Sequence, residues 1–261
     1  MQLLILGPGR LGSAIAGEAV RAGWPPPLVR GRPPGGIHDP ADLPPADVVV
    51  DASRGEAVAG NVDAALAAGA RSFILAATGW DDDVARVSSS LLSAGAAAVL
   101  APNLSIGAAL FLRLAEAAAG WYARADGFEP FVFERHRRGK ADRPSGTARQ
   151  LASRVVTADP RWSGPIPTGP GRADRPALEV TSVRAGSSPG VHVVGFDAPG
   201  ETVELHLTAR DRSAYAAGAL AAARWLGRER REPGVHPFDR VVDDLLAPVG
   251  PVAPGAVPVA V

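Results

Sequence analysis

Cysteine is absent from the 261-residue chain, which excludes a disulfide framework and a thiol nucleophile. Net charge is absent as well. Lys and Arg together number 27, as do Asp and Glu, so no global field draws the protein to nucleic acid or to a membrane surface. Long apolar runs are missing too: the opening run ends at Leu6, far short of a bilayer span, and no charged segment precedes it. Cytoplasmic residence, with no membrane partner, is the expectation. No spacing of His, Cys or Asp has the form of a metal site, so no metal is expected. The length accommodates two small domains.

The amino-terminal half alternates apolar runs with helical stretches. Met1–Leu6 fits a buried parallel strand. Gly7-Pro8-Gly9-Arg10-Leu11-Gly12 follows at once and leads into a helix through Ala14, Ile15, Ala19 and Val20. A Gly-x-Gly-x-x-Gly turn between strand and helix is the context in which that motif binds a dinucleotide. Gly7 permits the tight turn, Gly9 lets the backbone near the pyrophosphate, and Gly12 allows close helix–strand packing. A glycine turn without a ligand is the plain alternative. The next strand is read at Pro27-Leu28-Val29. A NAD-selective site would follow it with an acidic residue for the ribose 2′-hydroxyl, but Arg30-Gly31-Arg32 stands there. Two guanidinium groups suit a 2′-phosphate, so NADPH is expected over NADH, unless both side chains merely face water.

Residues 33 to 45 read as a loop. Further strands are expected over Asp47–Ser53, from Ser72 into a turn at Ala77-Thr78-Gly79, and over Ala97–Asn103. Helices intervene up to Gly69 and over Asp82–Ser93. This order means βαβ units and a parallel sheet. Ligands on such sheets bind beyond the carboxyl ends of the strands.

The segment Glu134–Ala148 reads ERHRRGKADRPSGTA. Ser145 is a candidate N-cap, and Ala148, Leu151, Ala152 and Val155 give the following helix an apolar stripe. The first turn of a helix offers backbone N–H groups and partial positive charge to an anion, and Gly146 leaves the approach open. The hydroxyls of Ser145 and Thr147 can donate to the same anion. Upstream, Phe131–Glu134 has strand composition, which places His136 and Lys140 at a strand end or loop facing the helix start. His136 titrates near neutral pH and is the natural proton-transfer group; Lys140 is a second donor or a fixed charge. A solvated Arg-rich loop and a simple helix cap are the bland alternatives.

In order, the string resembles the central signature of the dihydrodipicolinate reductase family, Glu-x-His-His-x-x-Lys-x-Asp-x-Pro-Ser-Gly-Thr-Ala. Glu134, His136, Lys140, Asp142 and Pro144–Ala148 match it, while Arg137 stands where the family has a second, substrate-contacting His. An Arg can hold a carboxylate in bidentate fashion but cannot give up its proton. The turns of the first half are similar to the family's as well. Asp51-Ala52-Ser53-Arg54 resembles its Asp-Phe-Ser/Thr turn and Ala77-Thr78-Gly79 its nicotinamide-side loop. Ala101–Gly107, with Pro102, Asn103 and Leu104, resembles its crossing into the second domain.

The resemblance implies His136 and Lys140 as the acid–base pair. It implies Ser145, Gly146, Thr147 and Arg137 as carboxylate holders, Arg212 near the substrate or a hinge, and a homotetramer. His192, in a Gly-x-His, receives no catalytic role. The activity implied is NAD(P)H-dependent reduction of 4-hydroxy-tetrahydrodipicolinate to tetrahydrodipicolinate, a dicarboxylate of lysine biosynthesis. A paralogous imine or keto-acid reductase and a non-catalytic NAD(P)-sensing or nucleic-acid-binding module stand as alternatives. The zero net charge and the retained His136 and Lys140 speak against the last.

The second half reads as a helix over Gly107–Trp121 and strands over 131–134, 178–185, 191–197 and 201–209. A loop over 158–176 and a helix over 216–226 complete it. The expected fold is α/β: a Rossmann-type parallel sheet domain plus an α+β domain with a mixed or antiparallel open sheet. Residues 1–104 and 213–247 are expected to bind the dinucleotide. Residues 105–212 are expected to hold the substrate and oligomerise, and 248–261 to form a tail.

Overall fold

The structure is a computed structural model that describes residues 1–164, 176–229 and 231–247. The chain divides into two compact units. One comprises Met1–Leu104 and the chain from Ala219 onward; the other is Ser105–Gly218.

The first unit is built on β1 (Leu3–Leu6), β2 (Leu28–Arg30), β3 (Val48–Asp51), β4 (Ser72–Leu75), β5 (Ala97–Leu100) and a late strand, β10 (Gly234–Pro237). All pair in parallel, in the order β10-β5-β4-β3-β1-β2. Every residue of β1 and β3 is buried, as a strand covered on both faces by helices must be. Helices α1 (Arg10–Arg21), α2 (Gly55–Ala67) and α3 (Val84–Ser93) are the crossovers. Val58 and Val62 of α2 and Val87 and Leu91 of α3 share one buried cluster with Leu4, Val49, Phe73 and Ala98 of the sheet.

Three expectations need correction here. The stretch 33 to 45 is not wholly irregular: Pro40–Asp42 forms a 3-10 turn, because the Asp39 carboxylate accepts from the Ala41 amide at 2.9 Å and Pro40 is preset for a first helical position. The strand expected over Asp47–Ser53 stops at Asp51, whose carboxylate turns back to accept from the Ser53 amide and hydroxyl. The chain beyond α6 (Ser213–Arg228) also adds two unforeseen elements, β10 and the amphipathic α7 (Phe238–Leu246), which buries Phe238, Val241 and Val242.

The second unit carries β6 (Glu129–His136), β7 (Glu179–Arg184), β8 (Gly190–Ala198) and β9 (Glu201–Ala209) in the order β7-β6-β8-β9. The β6–β7 pair is parallel and the other two are antiparallel, so the sheet is mixed. Helices α4 (Ile106–Tyr122) and α5 (Gly146–Ala158) cover one face. Phe111, Leu112 and Ala115 meet Leu151, Ala152, Val155, Val132, Val194 and Phe196 in a second core. On the other face Phe131, Phe133 and Val191 line a concavity of about 520 Å³, flanked by Glu204 and His206. The expected tail, 248–261, and most of the expected loop 158–176 lie outside the described residues. The boundary between the units falls inside α6, not at its start. Among the described residues no helix is long and apolar enough to cross a membrane.

Candidate active site

In the first unit, strand order reverses between β1 and β3. The two loops leaving those strands therefore diverge and leave a crevice at their carboxyl ends. The Gly7–Gly12 turn lies there. Gly7 has φ +108° and its amide bonds the Arg30 carbonyl at 2.9 Å. A Cβ on Gly12 would stand 2.0 Å from the Gly7 carbonyl oxygen, so only glycine lets α1 pack this tightly on the turn. A Cβ on Gly9 would meet nothing within 4 Å; the backbone there is open to a ligand. Gly9 caps α1 and no acidic residue lies in its first turn, which leaves the helix terminus fit for a pyrophosphate. Arg10 is exposed and Leu11 half-buried.

The remaining turns gather at the same sheet edge. Asp51 is buried; besides Ser53 it takes the Asn61 side-chain amide at 2.9 Å, which fixes the turn after β3. Thr78 and Gly79 are exposed after β4, whereas Ala77 is buried and its carbonyl accepts from the Trp80 indole at 2.9 Å. After β5, Pro102 is exposed, Asn103 half-buried and Leu104 buried, so Leu104 can offer a cofactor only its backbone. Arg30 is half-buried at the end of β2. Arg32 is exposed, 3.7 Å from Glu56.

In the second unit, alternation along β6 turns Val132, Glu134 and His136 to one face. Register then assembles a row across three strands: Ser182 on β7, Glu134 on β6 and His192 on β8 stand opposite one another, and Arg184 stands opposite His136. Glu134 is fully buried. Its Oε1 accepts from the Ser145 amide (3.0 Å), the Ser182 hydroxyl (2.7 Å) and the Arg184 guanidinium (2.7 Å). Burial pushes the Glu134 carboxyl up, but these hydrogen bonds outweigh it and hold the group at about 2. Arg184 also donates to the Lys140 carbonyl at 3.2 Å and to the Asp142 carbonyl, which pins the loop that carries Lys140. Lys140 Nζ lies 2.7 Å from Asp142 Oδ1, and that hydrogen bond holds the Asp142 carboxyl below its ordinary range.

His136 closes β6 with Nε2 3.1 Å from Glu134 Oε2, yet the two atoms are not aligned as a hydrogen bond. A Cβ on Gly190 would lie 3.0 Å from the His136 ring; the glycine makes room for it. Burial lowers the His136 pKa, Glu134 opposes this, and the charges of Lys140 and Arg184 lower it further. His192 is buried with its ring edge-on to His136 at 4.9 Å. Burial first, then His136, pushes it down to about 4. Both imidazoles are therefore neutral at pH 7.

Ser145 caps α5 by accepting from the Ala148 amide at 3.2 Å. Ser145 is buried, and its amide donates to Glu134. Gly146 and Thr147 are half-buried, and a Cβ on Gly146 would meet nothing within 4 Å. Their first-turn amides are what an anion can reach.

The family model described as dihydrodipicolinate reductase, C-terminus, matches residues 107–242. The chain is 32% identical over 218 residues to the 4-hydroxy-tetrahydrodipicolinate reductase of Rhodopirellula baltica, covering 80% of this chain and 77% of that one. It is 33% identical over 237 residues to the enzyme of the same name from Thiobacillus denitrificans, covering 87% and 84%. The chain belongs to the dihydrodipicolinate reductase family. Its fold is shared by the dipicolinate-bound dihydrodipicolinate reductase of Paenisporosarcina, with a TM-score of 0.67 at 17% identity, covering 91% of this chain and 97% of that one.

Of the two expected proton-transfer groups, His136 lies 3.1 Å from Glu134, Lys140 has its carbonyl held by Arg184, and the Lys140 charge lowers the His136 pKa. Arg137 and Arg212 are exposed, and the Arg137 carbonyl accepts from the Lys140 amide at 3.1 Å. Motif reading gave no role to Glu134 and passed over Ser182 and Arg184. The two-residue spacing of Glu134 and His136 within a strand was the available signal for the first; Ser182 and Arg184 join it only through the pairing of β6 with β7.

Proposed function

We propose that the protein reduces 4-hydroxy-tetrahydrodipicolinate to tetrahydrodipicolinate with a nicotinamide cofactor, in lysine biosynthesis. Substrate and product differ by the 4-hydroxyl group, so the reaction consumes one hydride and one proton and releases water. The observation that carries this reading is that His136 and the loop carrying Lys140 both meet the buried Glu134–Arg184 pair, whose carboxylate also accepts from the Ser145 amide at the start of α5. When bound, the cofactor supplies the hydride. The open backbone at Gly9 and the uncharged first turn of α1 would hold its pyrophosphate, with Arg10, Leu11, Ser53, Thr78, Gly79, Pro102 and Asn103 around it. Arg30 and Arg32 favour NADPH over NADH, since guanidinium groups bind a phosphate in bidentate fashion.

The Gly146 and Thr147 amides and Arg137 would take the two carboxylates, with Arg212 a further cation for the dicarboxylate. Lys140 delivers the proton as its ammonium, and the neutral His136 takes one up from solvent and passes it on to restore that ammonium. The open face of the mixed sheet, with Phe131, Phe133 and Val191, supports assembly as a homotetramer. Residence in the cytoplasm goes with a reductase that draws on the nicotinamide pool there.

The test is NADPH oxidation with the product of dihydrodipicolinate synthase as substrate. Turnover of that compound is expected, and its absence beside turnover of another imine or keto acid would assign the protein to the paralogous activity that Arg137 raises. Lys140→Ala is expected to lower kcat by about 100-fold or more while leaving cofactor affinity unchanged. An unchanged kcat removes Lys140 from proton transfer.

A further inference from the structure

We propose that Glu134, His136 and His192 form a binding site for a divalent transition metal, zinc by its donor set, and that filling the site withdraws His136 from proton transfer. The inhibitory half of this rests on the function proposed above; the binding half does not.

The three side chains are brought together by the sheet. Glu134 and His136 are two positions apart on β6, and His192 is the register partner of Glu134 on β8. One ligand atom from each lies within 4.8 Å of the others. Glu134 Oε2 and His136 Nε2 stand 3.1 Å apart without the alignment of a hydrogen bond, and both nitrogens of His192 are buried without a partner. Buried polar atoms are paired in folded proteins almost without exception, and a bound ion is one of the few explanations for a cluster that is not. Two imidazoles and one carboxylate are a zinc donor set that keeps a fourth position open. The His136 side chain is 14% exposed, which gives an ion its way in.

The surroundings supply outer support. The second oxygen of Glu134 is saturated by Ser145, Ser182 and Arg184, which turns Oε2 toward the two rings as a hydrogen-bonded metal carboxylate is turned. Two cations lie near, and each is already paired: Arg184 with Glu134 Oε1 and Lys140 with Asp142.

The experiment is a Co²⁺ titration of chelator-treated full-length protein, read by the visible ligand-field absorption of tetrahedral cobalt, with Zn²⁺ as competitor. One cobalt per chain, displaced by zinc, is expected. His192→Ala and His192→Asn are each expected to weaken binding by at least about 100-fold, and Ser182→Ala by about 10-fold to 100-fold. In parallel, Zn²⁺ should inhibit NADPH oxidation by the wild type reversibly and leave the residual turnover of His192→Ala unaffected. No cobalt spectrum in the wild type, or an unaltered one in both His192 variants, overturns the site; a single ordered water would then bridge the three side chains. Cobalt binding without zinc inhibition overturns the inhibitory role. If no substrate is reduced at all, the proposed reaction fails while the cobalt titration still decides the site.

Discussion

Breaking the pair between Glu134 and Arg184 one side at a time should cost far more than the pair is worth. The carboxylate is 0% exposed and the guanidinium 1% exposed, at 2.7 Å. Removing one partner of such a pair leaves the other charge stranded away from water, at a cost of about 3 to 5 kcal/mol, whereas removing both can be nearly neutral. Glu134→Gln keeps the shape and strands the guanidinium; Arg184→Met keeps the length and strands the carboxylate with only the Ser145 and Ser182 donors. Each single variant is therefore expected to lose about 3 kcal/mol or more. The double variant should lose distinctly less than the sum, with a coupling of about 2 kcal/mol. Some loss will remain, because the Lys140 and Asp142 carbonyls also give up a donor. Urea unfolding followed by circular dichroism gives the free energies, and hydrogen exchange of the β6 amides localises them to this unit. Additivity to within about 0.5 kcal/mol would show that the two groups act independently and refute the pair as the scaffold of the site.

Three further outcomes are expected. Gly12→Ala puts a methyl 2.0 Å from a backbone oxygen, so it should cost toward the upper end of about 1 to 3 kcal/mol and weaken NADPH binding; wild-type melting and cofactor fluorescence titrations would contradict this. Arg32→Ala should lower the NADPH-to-NADH ratio of kcat/KM by about 10-fold or more, the worth of one charge-assisted contact, and an unaltered ratio would mean that Arg32 serves only Glu56. The lowered pKa of Asp142 means that its bond to Lys140 stabilises the fold above the ordinary carboxylate range and is lost as pH falls through the lowered value. Because the side chain is 41% exposed, Asp142→Asn should cost under about 1 kcal/mol, evenly from neutral pH downward and vanishing below 3.8; a gap that widened in acid would reverse the sign.

The parallel sheet was legible because its strands are apolar at consecutive positions, a pattern only double-sided burial explains, and because the glycine turn names its own neighbours. The start of α5 was legible from Ser145 and the apolar stripe behind it. Ser182 and Arg184 were not, since their meeting with Glu134 depends on the parallel pairing of β6 with β7, a register that no local pattern encodes. The cap at Ser145 was legible, but the buried carboxylate that its amide meets was not, because it belongs to another element. In β10 the pattern is short and ends on a proline, the mark of an edge strand and a weak signal. Helix α7, by contrast, carried a readable stripe at Phe238, Val241 and Val242, spaced three and four apart.

The position of β10 fixes an order of events during synthesis. Strand β5 takes its outer neighbour from residues 234 to 237, long after its own residues have left the ribosome. Until then the nascent sheet ends on the open edge of β5, the kind of edge that recruits a foreign chain. Ser105–Gly218 holds its core and its own sheet within one continuous stretch, so it can mature first, while the unit that begins at Met1 waits for its last strand.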